Sequence, residues 1–410
     1  MGEIMIPSVY LLGTADTKFA ELDYLRSVLT GRGVGSHIVD VGTREDPCAA
    51  DITARQVAAC HPDGAAAVFC GERGRAIAAM SEALRRFLPG RADLAGVIAI
   101  GGSGGTALVA PALQDLPIGL PKILVSTVAS GNVAPYVGES DLSMVYSVVD
   151  LQGLNRISRT ILANAANAMA GMVLHPAPHD AGTRPAVGIT MFGVTTPCVT
   201  EAMHILTGDF ECLVFHATGT GGRSMERLVR QGMIGGVLDI TTTEFCDFVA
   251  GGIFPCEAGR LDAVAATGVP YVGSCGGLDM VNFGARETVP QRYRDRVFVQ
   301  HNPFITLMRT TAEECGQMGR LIGARLNRCH GPVRFYYPEK GFSQLDRPGQ
   351  PFHDPAANAA FRDALASTLE QTDRRRFISL PLALNDPAFA QAMVTEFRTL
   401  FKESHPHAPH

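Results

Sequence analysis

The sequence contains no apolar run long enough to span a bilayer, which excludes a helical membrane protein. It contains no Gly-Lys followed by Ser or Thr, which excludes a P-loop nucleotide site. No two of its ten cysteines lie within four residues of each other, a poor spacing for a local zinc knuckle, and no metal site is expected. Positive charge is not in excess either. The formal net charge is −5 with both signs dispersed, so neither a nucleic acid nor an anionic membrane is the expected partner. Aromatics are few and tryptophan is absent. Met1 to Ser8 has neither the basic start nor the apolar core of a signal peptide, and several cysteines sit in apolar runs. A reduced, cytoplasmic protein is the expectation.

Aliphatic residues and glycine are abundant, and 410 residues are enough for two domains that each bury a core. The most informative stretch is Leu94 to Ile100 running into Gly101-Gly102-Ser103-Gly104-Gly105-Thr106. A buried parallel strand is expected there, ending in a turn whose bare N–H groups face the start of a helix. Such a turn suits an anion. The spacing from Gly102 fits G-x-G-x-x-A, but the next strand ends in Ser126-Thr127 and not in the acidic residue of a dinucleotide site.

The strand–polar loop–helix unit recurs along the chain. Strands are expected at 9–12, 37–41, 95–100, 122–125, 186–192, 212–216, 237–240, 269–273, 333–337 and 377–380. Helices are expected near 50–60, 76–88, 154–172, 312–328, 356–370 and 387–401, among others. The alternation implies an α/β fold with parallel sheets and right-handed crossovers. His175 to Pro185 is the expected linker. The expected domains are 1–184 and 185–404, with 405–410 a disordered tail. The strand-and-loop pattern repeats across the two halves, as an old duplication would leave it.

Gly13, Thr14, Ala15, Asp16 and Lys18 follow the first strand, where Lys18 can neutralise phosphate and Asp16 can cap a helix. Asp40 ends the second strand, placed to accept from ribose hydroxyls. In the second half, Arg223 after Gly219–Gly222 can hold a carboxylate or phosphate with a bidentate fork. Thr195, Thr196, Gly221, Gly222 and Arg223 are therefore the candidates for a small anionic metabolite. His216, Glu244 and His301 are the acid/base candidates, with Glu257 and Asp279 as further ionisable groups. Cys275, between Gly273-Ser274 and Gly276-Gly277, has the glycine setting of a nucleophile, without an assignable base.

Several blocks then coincide with a known family: Gly13 to Lys18, Gly101 to Thr106, Ser126 to Gly131, Thr190 to Cys198, Val214 to Gly219, Gly236 to Glu244 and Leu278 to Gly284. From about residue 8 to about 400 the chain resembles an uncharacterised bacterial and fungal family that also forms the amino-terminal, ATP-binding domain of a plant virus-resistance protein. The resemblance implies two Rossmann-like, doubly wound subdomains with a cleft between them, a homodimer, and ATP bound by the amino-terminal subdomain, with magnesium left open. It places the nucleotide on Gly13–Lys18, on Gly101–Thr106 and on Ala129, Ser130 and Gly131. No reaction comes with it. The functional expectations are an ATP-binding protein, an enzyme acting on a small anionic metabolite with ATP as co-substrate, or a nucleotide-regulated scaffold.

Overall fold

A computed structural model describes residues 7–44, 49–176 and 184–406. Two compact units divide the chain, Met1–Asp180 and Ala181–His410. Most of the expected linker, residues 177–183, lies outside the described residues, as do 407–410 of the expected tail. His405, the first residue of that tail, stacks on Phe401 with ring centroids 4.2 Å apart.

The N-terminal unit runs β1 (Ser8–Gly13), α1 (Ala15–Thr30), β2 (Gly35–Asp40), α2 (Ala54–Ala58), α3 (Arg73–Phe87), β3 (Leu94–Gly101), α4 (Ser103–Asp115), β4 (Lys122–Ser126), α5 (Ala134–Val137), β5 (Ser143–Tyr146) and α6 (Arg156–Leu174). Its sheet has the order β2-β1-β3-β4-β5, with every pair parallel. Every residue of β1 is buried, because a central parallel strand is covered on both faces. Val9 and Leu11 pack with Leu22, Leu25 and Leu29 of α1 and with Leu162 and Met169 of α6. Tyr10 and Leu12 face the other way, onto Met80 and Leu84 of α3 and Leu108 and Leu113 of α4. The period-two alternation of one strand thus supplies both cores.

The helix expected over 50–60 is only Ala54–Ala58. Thr53 opens it with a capping box, and Pro62 and Gly64 follow too closely for it to continue.

The C-terminal unit runs β6 (Ala186–Met191), α7 (Thr196–Leu206), β7 (Glu211–His216), α8 (Thr220–Arg230), β8 (Gly236–Thr241), α9 (Glu244–Ala250), α10 (Asp262–Thr267) and β9 (Tyr271–Gly276). It continues with β10 (Met280–Phe283), β11 (Phe298–Asn302), β12 (Ile305–Arg309), α11 (Ala312–Leu326), β13 (Val333–Pro338), α12 (Pro355–Thr368), β14 (Arg375–Leu380) and α13 (Pro387–Ser404). The six-stranded parallel sheet has the order β7-β6-β8-β9-β13-β14. Its first five strands therefore repeat the order of the N-terminal sheet, with one strand added. The sequence reading missed β10, β11 and β12, a small antiparallel sheet inserted between β9 and β13. β5 is missed as well; β10, β11 and β12 each carry a polar residue within a run of four or five, whereas the apolar run of the equally short β4 is unbroken.

In both sheets the chain first steps to one side (β1 to β2, β6 to β7) and then crosses back. The carboxyl ends of β1 and β3, and of β6 and β8, flank these switch points. In open α/β sheets such points are where ligands bind.

Candidate functional site

At the first switch point the turns after β1, β2 and β3 and the start of α3 enclose a cavity of about 500 Å³. Thr14, Asp16, Thr17 and Lys18 line it from the first turn, Gly42, Thr43 and Arg44 from the second, and Gly102 to Gly105 from the third. Gly71, Glu72, Arg73, Ala76 and Ile77 close it from α3, with Leu108 of α4 beside them. The two glycine turns, some ninety residues apart in the chain, thus share one cavity because β1 and β3 are neighbours.

Two helices open onto this cavity without a side-chain cap, α1 from Thr14 and α4 from Gly102. The first N–H groups of α4 and the positive end of its dipole are available to an anion, whereas the first N–H of α1, that of Ala15, is given to Asp40 Oδ1 at 2.9 Å. Gly101 is required by close approach. A Cβ there would lie 2.8 Å from the Thr106 nitrogen, so the strand enters the helix only without a side chain.

The candidates divide when placed. Thr14, Asp16, Lys18, Gly102, Ser103, Gly104 and Gly105 line the cavity. Lys18 also donates from Nζ to the Leu151 carbonyl at 2.6 Å, one of the three bonds an ammonium can give. Gly13, Ala15 and Gly101 are buried in the turns beneath.

Thr106 is fully buried, and its hydroxyl is bonded to Ser126 Oγ at 2.6 Å. It holds α4 to β4 and does not face the cavity. Asp40 differs likewise from its expected place. It is 3 % exposed, and its Oδ1 accepts from the N–H groups of Ala15 and Gly42 at 2.9 and 2.8 Å. It braces the first turn against the second and does not present its carboxylate to a ribose. Ala129, Ser130 and Gly131 form the turn after β4 and are not among the lining residues.

The sequence reading passed over Thr43, Arg44 and the Gly71–Arg73 segment as ligand contacts, while Thr17, within the expected Gly13–Lys18 loop, lines the cavity. Gly71-Glu72-Arg73-Gly74-Arg75 is a basic, glycine-containing segment, but no strand leads into it, so nothing local ties it to the sheet edge.

The second switch point is built from the same kind of turn and is closed by its own side chains. Glu244 is fully buried, and its Oε1 accepts from Gly219 N at 2.7 Å and Gly222 N at 3.3 Å. An internal carboxylate thus occupies the start of α8, where an external anion was expected. Gly222 lacks a side chain for that reason, since a Cβ would stand 2.5 Å from Glu244 Oε2.

Arg260 ties Glu244 into a buried network. It donates from Nε to Glu244 Oε2 at 3.0 Å, from Nη1 to Glu226 at 3.3 Å, and from Nη2 to both oxygens of Asp239. Burial pushes the Glu244 carboxyl up, against the pull of Arg260. Glu244 is a structural carboxylate, which corrects its reading as an acid/base residue.

The other candidates of this unit are also engaged. Thr195 is buried with its hydroxyl bonded to Thr241 Oγ1 at 2.7 Å, and Thr196 donates to the Phe192 carbonyl. A Cβ on Gly221 would run into the His216 carbonyl. Arg223 bonds the Thr220 hydroxyl and pairs with Glu257 at 3.5 Å.

His216 ends β7 at the surface, its ring edge-on to Phe192, and partial burial lowers its pKa. His301 is exposed on β11, in the antiparallel sheet. Nothing in the described structure joins His216, Glu244 and His301 into one acid/base group. Cys275 is fully buried, which raises its thiol pKa well above the ordinary value, so it is a core residue and not a nucleophile.

Two further carboxyls in this unit are strongly shifted. Burial, opposed by N–H donors from Asn282 and Phe254, pushes Asp247 up to about 7. Asp279 is also raised to about 7, by burial and by the neighbouring Asp346, against Arg309 and the Ser343 hydroxyl.

Among the described residues no group of three or more His, Cys, Asp or Glu side chains is placed to hold a metal ion. Nor is any described helix long and apolar enough to cross a membrane.

Comparison with known proteins adds the following. Residues 7–178 match the N-terminal domain, and residues 184–401 the C-terminal domain, of an uncharacterised protein family, UPF0261. A UPF0261 protein of Rhizobium meliloti is 56 % identical over 393 residues, covering 96 % of this chain and 98 % of the relative. A UPF0261 protein of Clostridium tetani is 40 % identical over 405 residues, covering 97 % of this chain and 100 % of that one. The ToMV resistance protein Tm-1(GCR237) of Solanum lycopersicum is 44 % identical over 427 residues. That match covers 97 % of this chain but 56 % of the tomato protein.

Proposed function

The chain belongs to the uncharacterised protein family UPF0261, and from that premise and the geometry of the first switch point we propose that its N-terminal unit binds a phosphate-bearing ligand, ATP first among those to be tested. The observation that carries this reading is the contrast between two like turns. At the second switch point Glu244 fills the start of the helix. At the first, α4 opens uncapped onto a cavity lined by Lys18, Arg44 and Arg73, while α1 gives its first N–H to Asp40. An anion is the chemistry that satisfies such a site. Phosphate is favoured over a lone carboxylate by the number of donors lining the cavity: the α4 helix start, the Ser103, Thr14 and Thr43 hydroxyls, and three cations against the carboxylates of Asp16 and Glu72. The adenine nucleotide is the cofactor that the family resemblance implies.

A metabolite held by Arg223 and the Gly219–Gly222 turn is not supported, because Glu244 and Glu257 already occupy those donors. The proposed activity is therefore binding, with no chemical step assigned to it.

A thermal-shift series on the purified chain tests the proposal, using ATP, other nucleotides and small organic acids, with and without magnesium. A ligand at about a hundred times its dissociation constant adds about 2.7 kcal/mol of stability. The expected result is such a shift with phosphate compounds and none with simple carboxylic acids. Absence of a shift with every phosphate compound would overturn the proposal.

A further inference from the structure

Three cations line the cavity, and they differ in what they already hold. Lys18 gives one bond to the Leu151 carbonyl. Arg44 and Arg73 have neither a hydrogen-bond nor an ion-pair partner among the described residues, and both are exposed at the cavity's rim.

The setting of Arg73 is unusual in two further ways. It is the first residue of α3, a helix with no acidic side chain in its first turn and a second arginine, Arg75, two positions on. Cations at a helix start oppose the dipole, at a cost of about 0.3–1 kcal/mol each. Glu72 is the N-cap of this helix, and no ion pair joins its carboxylate to Arg73. Its Oε1 accepts from the N–H groups of Gly74 and Arg75, and its ion-pair contact is with Arg75 at 3.9 Å. Arg73 also reaches across to the glycine turn of β3, where a Cβ on Gly104 would lie 3.5 Å from Arg73 Nη2. A local rule broken without a local gain marks a functional position more often than a structural one.

We propose that Arg73 is a ligand-binding residue that grips the outer phosphoryl group of a ligand whose inner phosphoryl group sits on the α4 turn, so that the site selects compounds with two or more linked phosphoryl groups. The inference rests on the phosphate reading of the cavity given above. The half-buried Gly102–Gly105 turn and Lys18 form the inner part of the site. Arg73, helped by Arg44, forms the outer part. A single phosphate fills only the inner part, and a di- or triphosphate chain spans both. A guanidinium fork matches two oxygens of the outer group at once, which an ammonium cannot do.

Isothermal titration of the full chain with tripolyphosphate, and with inorganic phosphate in the millimolar range, separates the two parts. The comparison set is the unmodified protein, Arg73→Ala, Arg73→Lys and Arg75→Ala, each checked for an unchanged melting curve without ligand. Arg73→Ala should weaken tripolyphosphate about 10- to 100-fold, the usual loss for a charge-assisted bond, and leave inorganic phosphate nearly unchanged. Arg73→Lys should recover part of the loss. Arg75→Ala, whose guanidinium pairs with Glu72, should behave as the unmodified chain. Arg73→Ala binding tripolyphosphate normally, or losing both ligands equally, would overturn the assignment while sparing the phosphate site. An unmodified chain that binds neither compound nor ATP would overturn both.

Discussion

Gly104→Val gives the sharpest separation between fold and ligand. Gly104 is the second residue of α4 and lines the cavity beside Arg73. A Cβ there would meet nothing nearer than Arg73 Nη2 at 3.5 Å and Ile77 Cδ1 at 3.9 Å, which are ordinary contacts. Valine also costs less than glycine inside a helix, by a few tenths of a kcal/mol. The ligand-free variant should therefore melt within about 2 °C of the unmodified chain, as expected of a substitution worth about 0.5 kcal/mol or less.

Ligand binding should be lost, because an isopropyl group would stand over the α4 N–H groups where a phosphate must come within hydrogen-bonding distance. The unmodified chain at about a hundred times Kd gains about 2.7 kcal/mol. For a unit of this size that is a rise of roughly 5–11 °C. The variant should rise by less than about 1 °C in the same series, read by differential scanning fluorimetry. Gly101→Ala is the contrasting control. Its Cβ would press within 2.8 Å of the Thr106 nitrogen, so it should lower the ligand-free melting point, with about 1–3 kcal/mol lost to overpacking. A folded Gly104→Val chain that keeps the full ATP-induced shift would refute the placement of the phosphates on this turn.

Glu244→Ala strands the Gly219 and Gly222 N–H groups and Arg260 Nε in the C-terminal core, and should cost about 3–5 kcal/mol in urea unfolding. The ATP shift of the N-terminal unit should survive it, and a loss below about 1 kcal/mol would show that Glu244 is not the plug described. The C-terminal unit should also lose stability as the pH rises. Asp247 and Asp279 have folded pKa values of about 7 against 3.8 for the ordinary group, so the folded state holds their protons more tightly. Their contribution is fully present below about pH 4 and is lost as the pH rises through about 7. Urea midpoints should therefore fall between pH 5 and pH 7.5, and Asp279→Asn should flatten that slope; a slope unchanged in the variant would refute the shift assigned to Asp279.

Much of the architecture is legible in the residues themselves. Val9-Tyr10-Leu11-Leu12 sends alternate side chains to two cores because a strand has a period of two. Each such run stops at a glycine- or threonine-rich turn, because the chain must reverse direction there. The alternation of these units is enough for two parallel α/β sheets. The short strands β10, β11 and β12 escape, because a polar residue breaks each of their apolar runs, which is not so in the equally short β4. So does the Gly71–Arg73 contribution to the cavity, because only the crossover from β2 to β3 carries it to the sheet edge.

What the sequence could not decide is which glycine turn is open. Gly101–Gly105 and Gly219–Gly222 read alike, as bare N–H groups at the start of a helix. Whether those groups are free depends on a side chain from elsewhere in the chain. Glu244, twenty-five residues beyond Gly219, closes the second turn, whereas Asp40 gives its carboxylate to Ala15 and Gly42 in the neighbouring turns and leaves the α4 N–H groups unclaimed. A local pattern specifies which hydrogen-bonding groups a turn presents, and only the packed chain determines whether a buried partner has already claimed them.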